Sequence, residues 1–284
     1  MIEYNVHSEH MHPSQRHAIL HVPDDYDGQS PVPLIVGLHG KAQPPNEFAE
    51  HTQFSTSTFK GLVVYPEGIK LQWTGDPESP PRKVIDDIAF INVLIDQLQN
   101  DYSIDASRIY VAGFSNGGGL AALLAGDPKA SGRIAAFAIS SGAFYKDEAL
   151  KEPLFSRCHP SRLPVPILEF HGDSDPVIHY VGKTTPDGPS YPVWDWVTEW
   201  AKRNTGTAEN TRTSLYDGKV EKYSFASDDG NEVLVHYYIH GFGHGWPTKR
   251  PLNNDEQRHG PTYFDATPIV LDFFSRFAIH KGGL

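Results

Sequence analysis

A serine sits between two glycines in Gly113-Phe114-Ser115-Asn116-Gly117, with the apolar run Ile109-Tyr110-Val111-Ala112 before it and two further glycines after it. A hydroxyl becomes a useful nucleophile when a neighbouring base removes its proton. A serine held on a sharp turn between a strand and a helix is presented to such a base. That turn needs tiny flanking residues, because strand and helix pass very close to one another there. The pentapeptide alone recurs by chance, so its weight comes from the strand-like run on one side and the small helix-opening residues on the other. The chemistry implied is acyl transfer: attack on a carbonyl carbon, a covalent acyl intermediate, and release by water.

A base and an acid must then follow. Gly241-Phe242-Gly243-His244-Gly245-Trp246-Pro247 comes after a strand-like run ending near Ile239, and its glycines make a loop able to project one imidazole, so His244 is the candidate base. The apolar run ending at Phe170 leads into His171-Gly172-Asp173-Ser174-Asp175-Pro176-Val177, a loop beyond a strand's carboxyl end where ligand-facing side chains belong. Asp173 and Asp175 compete for the orienting role. The His-Gly-x-x-Asp spacing favours Asp175 as the acid and leaves Asp173 for turn hydrogen bonds. The order serine, carboxylate, histidine along the chain is that of α/β hydrolases.

An anionic tetrahedral intermediate needs hydrogen-bond donors, and loss of one donor costs about 10²- to 10³-fold in rate. The backbone NH of Asn116, at the start of the helix after the nucleophile, is one candidate. The loop after Leu38-His39-Gly40 offers a second, from Lys41. His39 and Trp246 are candidate pocket residues, with the alternative for Trp246 that it packs behind the histidine loop. Trp73, Asp86, Asp87, Trp194, Trp196 and Trp200 read as helix caps and core packing. His7, His10, His12, His17 and His21 crowd one region without the spacing of a zinc ligand set, so they read as surface residues and no metal site is expected.

Positioning these groups requires a particular set of elements. Arg16–Val22, Pro33–Leu38, Gly61–Tyr65, Arg108–Ala112, Ile134–Ser140 and Pro166–Phe170 read as strands, several of them continuous apolar runs suited to burial on both faces. Helical spacing over Val84–Leu98, a helix from the serine to about Leu124, another over Tyr191–Asn204 and a closing one over Thr267–Phe277 alternate with them. Strands are also expected at Thr211–Tyr216, Val220–Phe225 and Glu232–Ile239. The pattern predicts the α/β class: one α/β-hydrolase domain over residues 1–284, a mainly parallel central sheet with helices on both faces. The segments Thr74–Lys83 and Phe144–Pro164 are expected to shape the pocket. The Pro- and Gly-rich stretches Thr184–Pro192 and Pro247–Pro261 read as long loops.

Composition narrows the partners. A formal charge of -11 over 284 residues, with no basic run longer than Lys249-Arg250, argues against nucleic acid and acidic membrane surfaces. No stretch approaches the ~18 to 20 apolar residues of a membrane span. Read from a polar Met1–His7 and a single cysteine, Cys158, the chain is expected in the cytoplasm, or secreted if a leader has been removed. A small-molecule or saccharide-linked aromatic ester is the expected partner, with no cofactor and no obligate protein partner. Activity should rise with pH as His244 becomes neutral, near an unperturbed value of ~6.5. A thioesterase or peptidase using the same groups, and a non-catalytic ligand-binding protein of this fold, are the alternatives.

Several stretches carry a family likeness: Gly37-Leu38-His39-Gly40, Tyr65-Pro66-Glu67-Gly68, Asp105-Ala106-Ser107-Arg108-Ile109-Tyr110-Val111, the serine turn, Ile167 to Gly172, Gly243 to Pro247 and Phe264 to Ile269. Over roughly Pro33 to Phe277 the chain resembles esterases of carbohydrate esterase family one. It is most like the fungal feruloyl esterases and more distantly like secreted polyhydroxybutyrate depolymerases. The resemblance implies Ser115 as nucleophile, Asp175 as acid and His244 as base, and release of ferulic or related hydroxycinnamic acids as the reaction. Secreted relatives carry disulfides, one from a cysteine shortly before the helix near Tyr191, where this chain has Pro189-Ser190-Tyr191-Pro192. That difference favours, as a second expectation, an intracellular esterase of small aromatic or metabolite esters.

Overall fold

The computed structural model describes residues 1–9, 11–184, 188–250 and 260–279. Its strands are β1 (Ile2–His7), β2 (Gln15–His21), β3 (Val32–Leu38), β4 (Leu62–Pro66), β5 (Ile104–Phe114), β6 (Ala136–Ser140), β7 (Ile167–Gly172), β8 (Thr211–Leu215), β9 (Val220–Ala226) and β10 (Glu232–Ile239). They form one sheet in the order β1-β2-β4-β3-β5-β6-β7-β10-β9-β8. Neighbours from β4 to β10 pair in parallel, and the two strands at each end pair antiparallel. The parallel strands read as continuous apolar runs because both faces are covered. The residues of β4, β6 and β7 are buried throughout.

The helices are α1 (Pro45–Thr52), α2 (Asp87–Asp101), α3 (Asn116–Gly126), α4 (Pro128–Ser131), α5 (Val193–Thr205) and α6 (Ala266–Ser275). One face of the sheet packs Val36, Val111 and Phe137 against α2, α3 and α5 through residues such as Ile91, Leu120 and Val197. The other packs Ile35, Ala112 and Phe170 against α1 and α6 through Phe48, Val270 and Phe273. Helices therefore cover both faces, as the alternation of elements predicts.

Local differences from the sequence reading have physical causes. Helix α2 starts at Asp87, not Val84, because the Asp86 carboxylate caps it by accepting from the Ala89 NH at 2.9 Å. Strand β5 begins at Ile104, ahead of Arg108. Strand β1 and helix α1 are additions to the elements expected from the sequence. In β1 only Tyr4 and Val6 turn inward from an otherwise exposed edge, and α1 is a mere eight residues opened by Pro44-Pro45.

The amino-terminal strands connect to the middle of the fold through a buried cation. Arg16, on β2, donates to Asp87 at 2.9 Å and to the Glu67 carbonyl at 3.1 Å, and its guanidinium lies 3.9 Å from the Phe90 ring. The second oxygen of Asp87 accepts the Thr74 NH at 2.7 Å. The adjoining Trp73 is clamped by Asn116, whose side chain accepts the Trp73 NH at 2.7 Å and donates to its carbonyl at 3.1 Å. A continuous polar line thus runs from β2 to the first residue of α3.

Candidate active site

Ser115 stands at the junction of β5 and α3 with φ 54° and ψ -118°, a positive-φ conformation that a non-glycine residue holds only when its surroundings enforce it. The flanking glycines explain the enforcement. A Cβ on Gly113 would lie 2.3 Å from the Gly117 carbonyl oxygen, and one on Gly117 would lie 2.2 Å from the Leu38 and 2.5 Å from the His39 carbonyl oxygens. Backbone meets backbone on both sides, leaving no side chain to move aside. Gly117→Ala is therefore expected to destabilise the protein by roughly 2 to 4 kcal/mol. In a thermal melt this reads as a drop of roughly 5 to 10 °C, whereas an unchanged melting temperature would mean that the turn can open.

The structure brings Ser115, His244 and Asp175 together from three loops that each follow the carboxyl end of a parallel strand, β5, β10 and β7. His244 Nε2 lies 2.9 Å from Ser115 Oγ, and Nδ1 lies 2.8 Å from Asp175 Oδ2. Because Nδ1 faces a carboxylate, it carries the proton, and Nε2 is left to accept from the serine hydroxyl. Asp175 is 3 % exposed and His244 1 %, while Ser115 at 8 % has the most access of the three. The other Asp175 oxygen accepts the NH groups of Val177 and Ile178, both at 2.8 Å. Burial opposes ionisation of Asp175. The bond and charge of His244, the charge of His171 and the Val177 amide outweigh it, holding the carboxyl below its ordinary range.

Asp173 plays a different part. It accepts from Gly241 NH at 2.7 Å, Ser174 Oγ at 2.9 Å, His240 Nδ1 at 3.1 Å and Tyr238 hydroxyl at 3.2 Å. Burial again works against ionisation, and these bonds prevail, lowering its pKa. Asp173 thus ties the loop carrying Asp175 to the loop carrying His244. A Cβ on Gly172 would fall 1.9 Å from the Phe242 carbonyl oxygen, so the two loops also touch through bare backbone.

His39 and Trp246 are both buried away from any accessible surface, His39 against its expected place in the pocket and Trp246 in keeping with the alternative that it packs behind the histidine loop. His39 is wholly buried: Nδ1 faces the Gly40 carbonyl at 2.7 Å, Nε2 accepts the Gly68 NH at 3.0 Å, and the ring lies 4.8 Å from that of Trp73. Burial lowers its pKa to about 4, so it is a neutral strut between two loops. Trp246, 1 % exposed, packs edge-on against Phe48 and Phe54 and donates to Thr267 Oγ1 at 3.3 Å. It lies behind the histidine loop because α1 and the start of α6 converge there.

Asn116 is the first residue of α3, so its NH has no acceptor within the helix. The turn leading to Lys41 rests on the same helix end, since the Leu38 and His39 carbonyls crowd Gly117. The Lys41 ammonium pairs with Asp76 at 3.2 Å and Glu78 at 2.8 Å. The segments 74–83 and 144–164 both set out from the site, at Trp73 and at Ala143, whose NH donates to the Ser115 carbonyl at 3.0 Å. Lys151 Nζ joins them by donating to the Ser79 carbonyl at 2.6 Å.

His7, His12 and His17 are exposed and His21 is half-buried, whereas His10 lies outside the described residues, as do parts of the two long loops. Among the described residues no cluster of three or more histidine, cysteine or acidic residues is arranged to hold a metal. No helix described is long and apolar enough to cross a membrane. A separate cavity of about 560 Å³ opens between α3 and α5, lined by Cys158, Trp196 and Trp200 among others and not by Ser115.

Comparison with known proteins agrees with this architecture. The Phospholipase/Carboxylesterase family matches residues 72–186. A bifunctional acetylxylan esterase/xylanase of Neocallimastix patriciarum is 33 % identical over 150 residues, 52 % of this chain and 20 % of that protein. Feruloyl esterase C of Emericella nidulans is 29 % identical over 179 residues, 60 % of this chain and 58 % of that one. The chain therefore spans less than two thirds of the length of these relatives. In structure it is similar to the acetyl xylan esterase from Aspergillus awamori, with a TM-score of 0.64 at 14 % identity, covering 88 % of this chain and 96 % of the other. The fold is that of the α/β hydrolases, and the resemblance read from the motifs, to esterases of the feruloyl and acetylxylan kind, recurs in these similarities.

Proposed function

We propose that this α/β-hydrolase-fold chain is a serine carboxylic ester hydrolase whose acyl group is ferulic or a related hydroxycinnamic acid. The observation that carries the reading is the unbroken line from Ser115 Oγ through both ring nitrogens of His244 to Asp175, with separations of 2.9 and 2.8 Å. Ser115 Oγ attacks the acyl carbon while His244 Nε2 takes its proton, and Asp175 holds the resulting imidazolium. The carbonyl oxygen, now an anion, is received by the backbone NH groups of Asn116 and Lys41. Collapse breaks the bond to the alcohol, which leaves with the proton from His244. Water then repeats the sequence on the acyl-enzyme and frees the acid. The reaction needs no cofactor. Similarity to feruloyl esterase C supports the aromatic acyl group, and similarity to the acetylxylan esterase/xylanase supports acetyl esters as the second reading.

A fluorophosphonate probe is expected to label Ser115, located by peptide mass mapping; an unlabelled serine would remove the proposal. Methyl ferulate, acetylated xylan, nitrophenyl acetate and a matched thioester and amide, compared under one set of conditions, then decide the substrate class. Preference for methyl ferulate is the expected result. Preference for the acetyl esters would move the acyl group, and preference for the thioester would move the bond.

A further inference from the structure

Behind the acid lies a second group of buried titratable side chains that the reaction above does not use. Glu169 and His171 project from the same face of β7, and both are wholly buried. Glu169 Oε1 meets His171 Nδ1 at 3.0 Å, and its Oε2 meets His236 Nδ1, on the neighbouring β10, at 2.6 Å. His236 Nε2 in turn meets the Tyr180 hydroxyl at 3.0 Å. On its other side, His171 Nε2 lies 2.8 Å from the Ile178 carbonyl and 3.5 Å from Asp175 Oδ2.

Proton counting decides the charge of this group. A carbonyl oxygen can only accept, so His171 Nε2 carries a proton. Its Nδ1 faces a carboxylate, and if Glu169 is ionised that nitrogen carries one too. The alternative is a neutral pair in which a protonated Glu169 donates to His171 Nδ1, but the contact of His236 Nδ1 with the second Glu169 oxygen and the Asp175 carboxylate 3.5 Å from His171 Nε2 both favour the ionised pair. His236 is satisfied as a neutral ring, donating from Nδ1 to Glu169 and accepting at Nε2 from the Tyr180 hydroxyl. The consistent assignment is two buried carboxylates, Glu169 and Asp175, with an imidazolium between them. Desolvation opposes a charged His171, yet its bond to Glu169 and the charges of Glu169 and Asp175 raise its pKa above the ordinary value. The further groups facing it are the Tyr180 ring at 5.9 Å, Tyr238 in register with it on β10, and, beyond Asp175, His244.

We infer that His171 is a positioning residue that stays an imidazolium throughout the working pH range, fixes the carboxylate of Asp175, and sets the lower pH limit of the hydrolysis. This rests on the reading of Ser115, His244 and Asp175 as the reacting groups. The sign follows from charge. A fixed positive charge behind Asp175 makes protonation of Asp175 harder, and it also makes a second positive charge on His244 harder to acquire. Both effects keep the base free, and its partner ionised, at lower pH. Replacing the charge therefore moves the acid limb of the pH profile upward. Across the 3.5 Å from His171 Nε2 to Asp175 Oδ2 and the 2.8 Å from that oxygen to His244 Nδ1, at an effective dielectric constant of ~20, the shift is roughly one to two pH units.

Two variants and one spectrum test this. His171→Gln keeps a donor toward the Ile178 carbonyl without the charge, and Glu169→Gln removes the partner that holds the proton. His171→Gln is expected to raise the midpoint of the acid limb of kcat/KM for methyl ferulate, or for whichever ester is turned over, by about one unit or more, and Glu169→Gln, which removes a negative charge along with the proton it holds, to raise it by less. A role confined to folding would lower the plateau and leave the midpoint where it was, overturning the inference. Independently of turnover, nitrogen-15 spectra of the unmodified protein are expected to show the His171 ring, assigned by its loss in His171→Gln, protonated at both nitrogens from about pH 5 to about pH 8. A neutral ring in that range would overturn the inference whether or not the protein hydrolyses esters. Turnover that is absent altogether would defeat the proposed function, and the spectrum would still decide the charge of His171; were the variants not to fold, it would do so with the assignment made by sequential correlation.

Discussion

Ser115→Ala should abolish ester hydrolysis while the protein stays folded. The Ser115 hydroxyl bonds to His244 Nε2 at 2.9 Å and takes no part in holding the turn, whose backbone is fixed by the contacts of Gly113 and Gly117 and by the Ser115 NH bond to the Ser140 carbonyl at 3.0 Å. Alanine can follow the same path. With the nucleophile gone, kcat should fall by about 10⁴- to 10⁶-fold, leaving the residual rate that oriented binding and the oxyanion donors support. Circular dichroism and the melting temperature should match those of the parent. Turnover within tenfold of the parent would mean that another group attacks the ester.

Asp175→Asn and Asp173→Asn form the second test, two isosteric changes two residues apart with opposite expectations. In Asp175→Asn the new side-chain carbonyl oxygen would keep the Val177 and Ile178 amides, which turns the NH₂ group toward His244. The imidazole would then have to accept at Nδ1 and carry its proton on Nε2, pointing a donor at Ser115 where an acceptor is needed. A loss of about 10⁴-fold in kcat is expected, with KM little changed. At Asp173 the same change removes one acceptor oxygen from the bonds to His240 and Tyr238. About 1 kcal/mol of stability and less than tenfold of activity are at stake there. If the two variants behaved alike, the division of labour between an orienting acid and a staple between loops would be wrong.

Most of this site is legible in the sequence, and the reasons are local. The serine turn needs Gly113 and Gly117 because backbone meets backbone there, and the strand-like run before it and the small residues after it are contiguous in the sequence, so motif and context are read together. His244 stands in a glycine-rich loop beyond a strand, and loop position distinguishes it from the other histidines. His39 and Trp246 look equally eligible in one dimension. Their burial depends on Trp73, Gly68, Phe48 and Phe54 arriving from elsewhere, and no periodicity reports that. Glu169 and His171 escape a sequence reading because they sit within an apolar run. A charged residue inside a strand otherwise buried on both faces is the available signal, since such a group needs a partner. Strand β1 and helix α1 escape it for a related reason: an exposed edge and an eight-residue helix show little hydrophobic pattern of their own.

The polar line from Arg16 through Asp87 and Trp73 to Asn116 bears on the order in which this molecule becomes competent during synthesis. Arg16 and Asp87 are 71 residues apart, Trp73 and Asn116 are 43 apart, Asp175 and His244 are 69 apart, and Ser115 and His244 are 129 apart. A growing chain that has passed Ser115 holds a serine but no base, and a collapsed intermediate without the docked amino-terminal hairpin leaves Asp87 buried without its cation. Contacts of such separation form late, after the loops between them have closed. Reactivity at Ser115 should then emerge at the final step of refolding, making its capture by an active-site probe a clock for the completed sheet rather than for collapse.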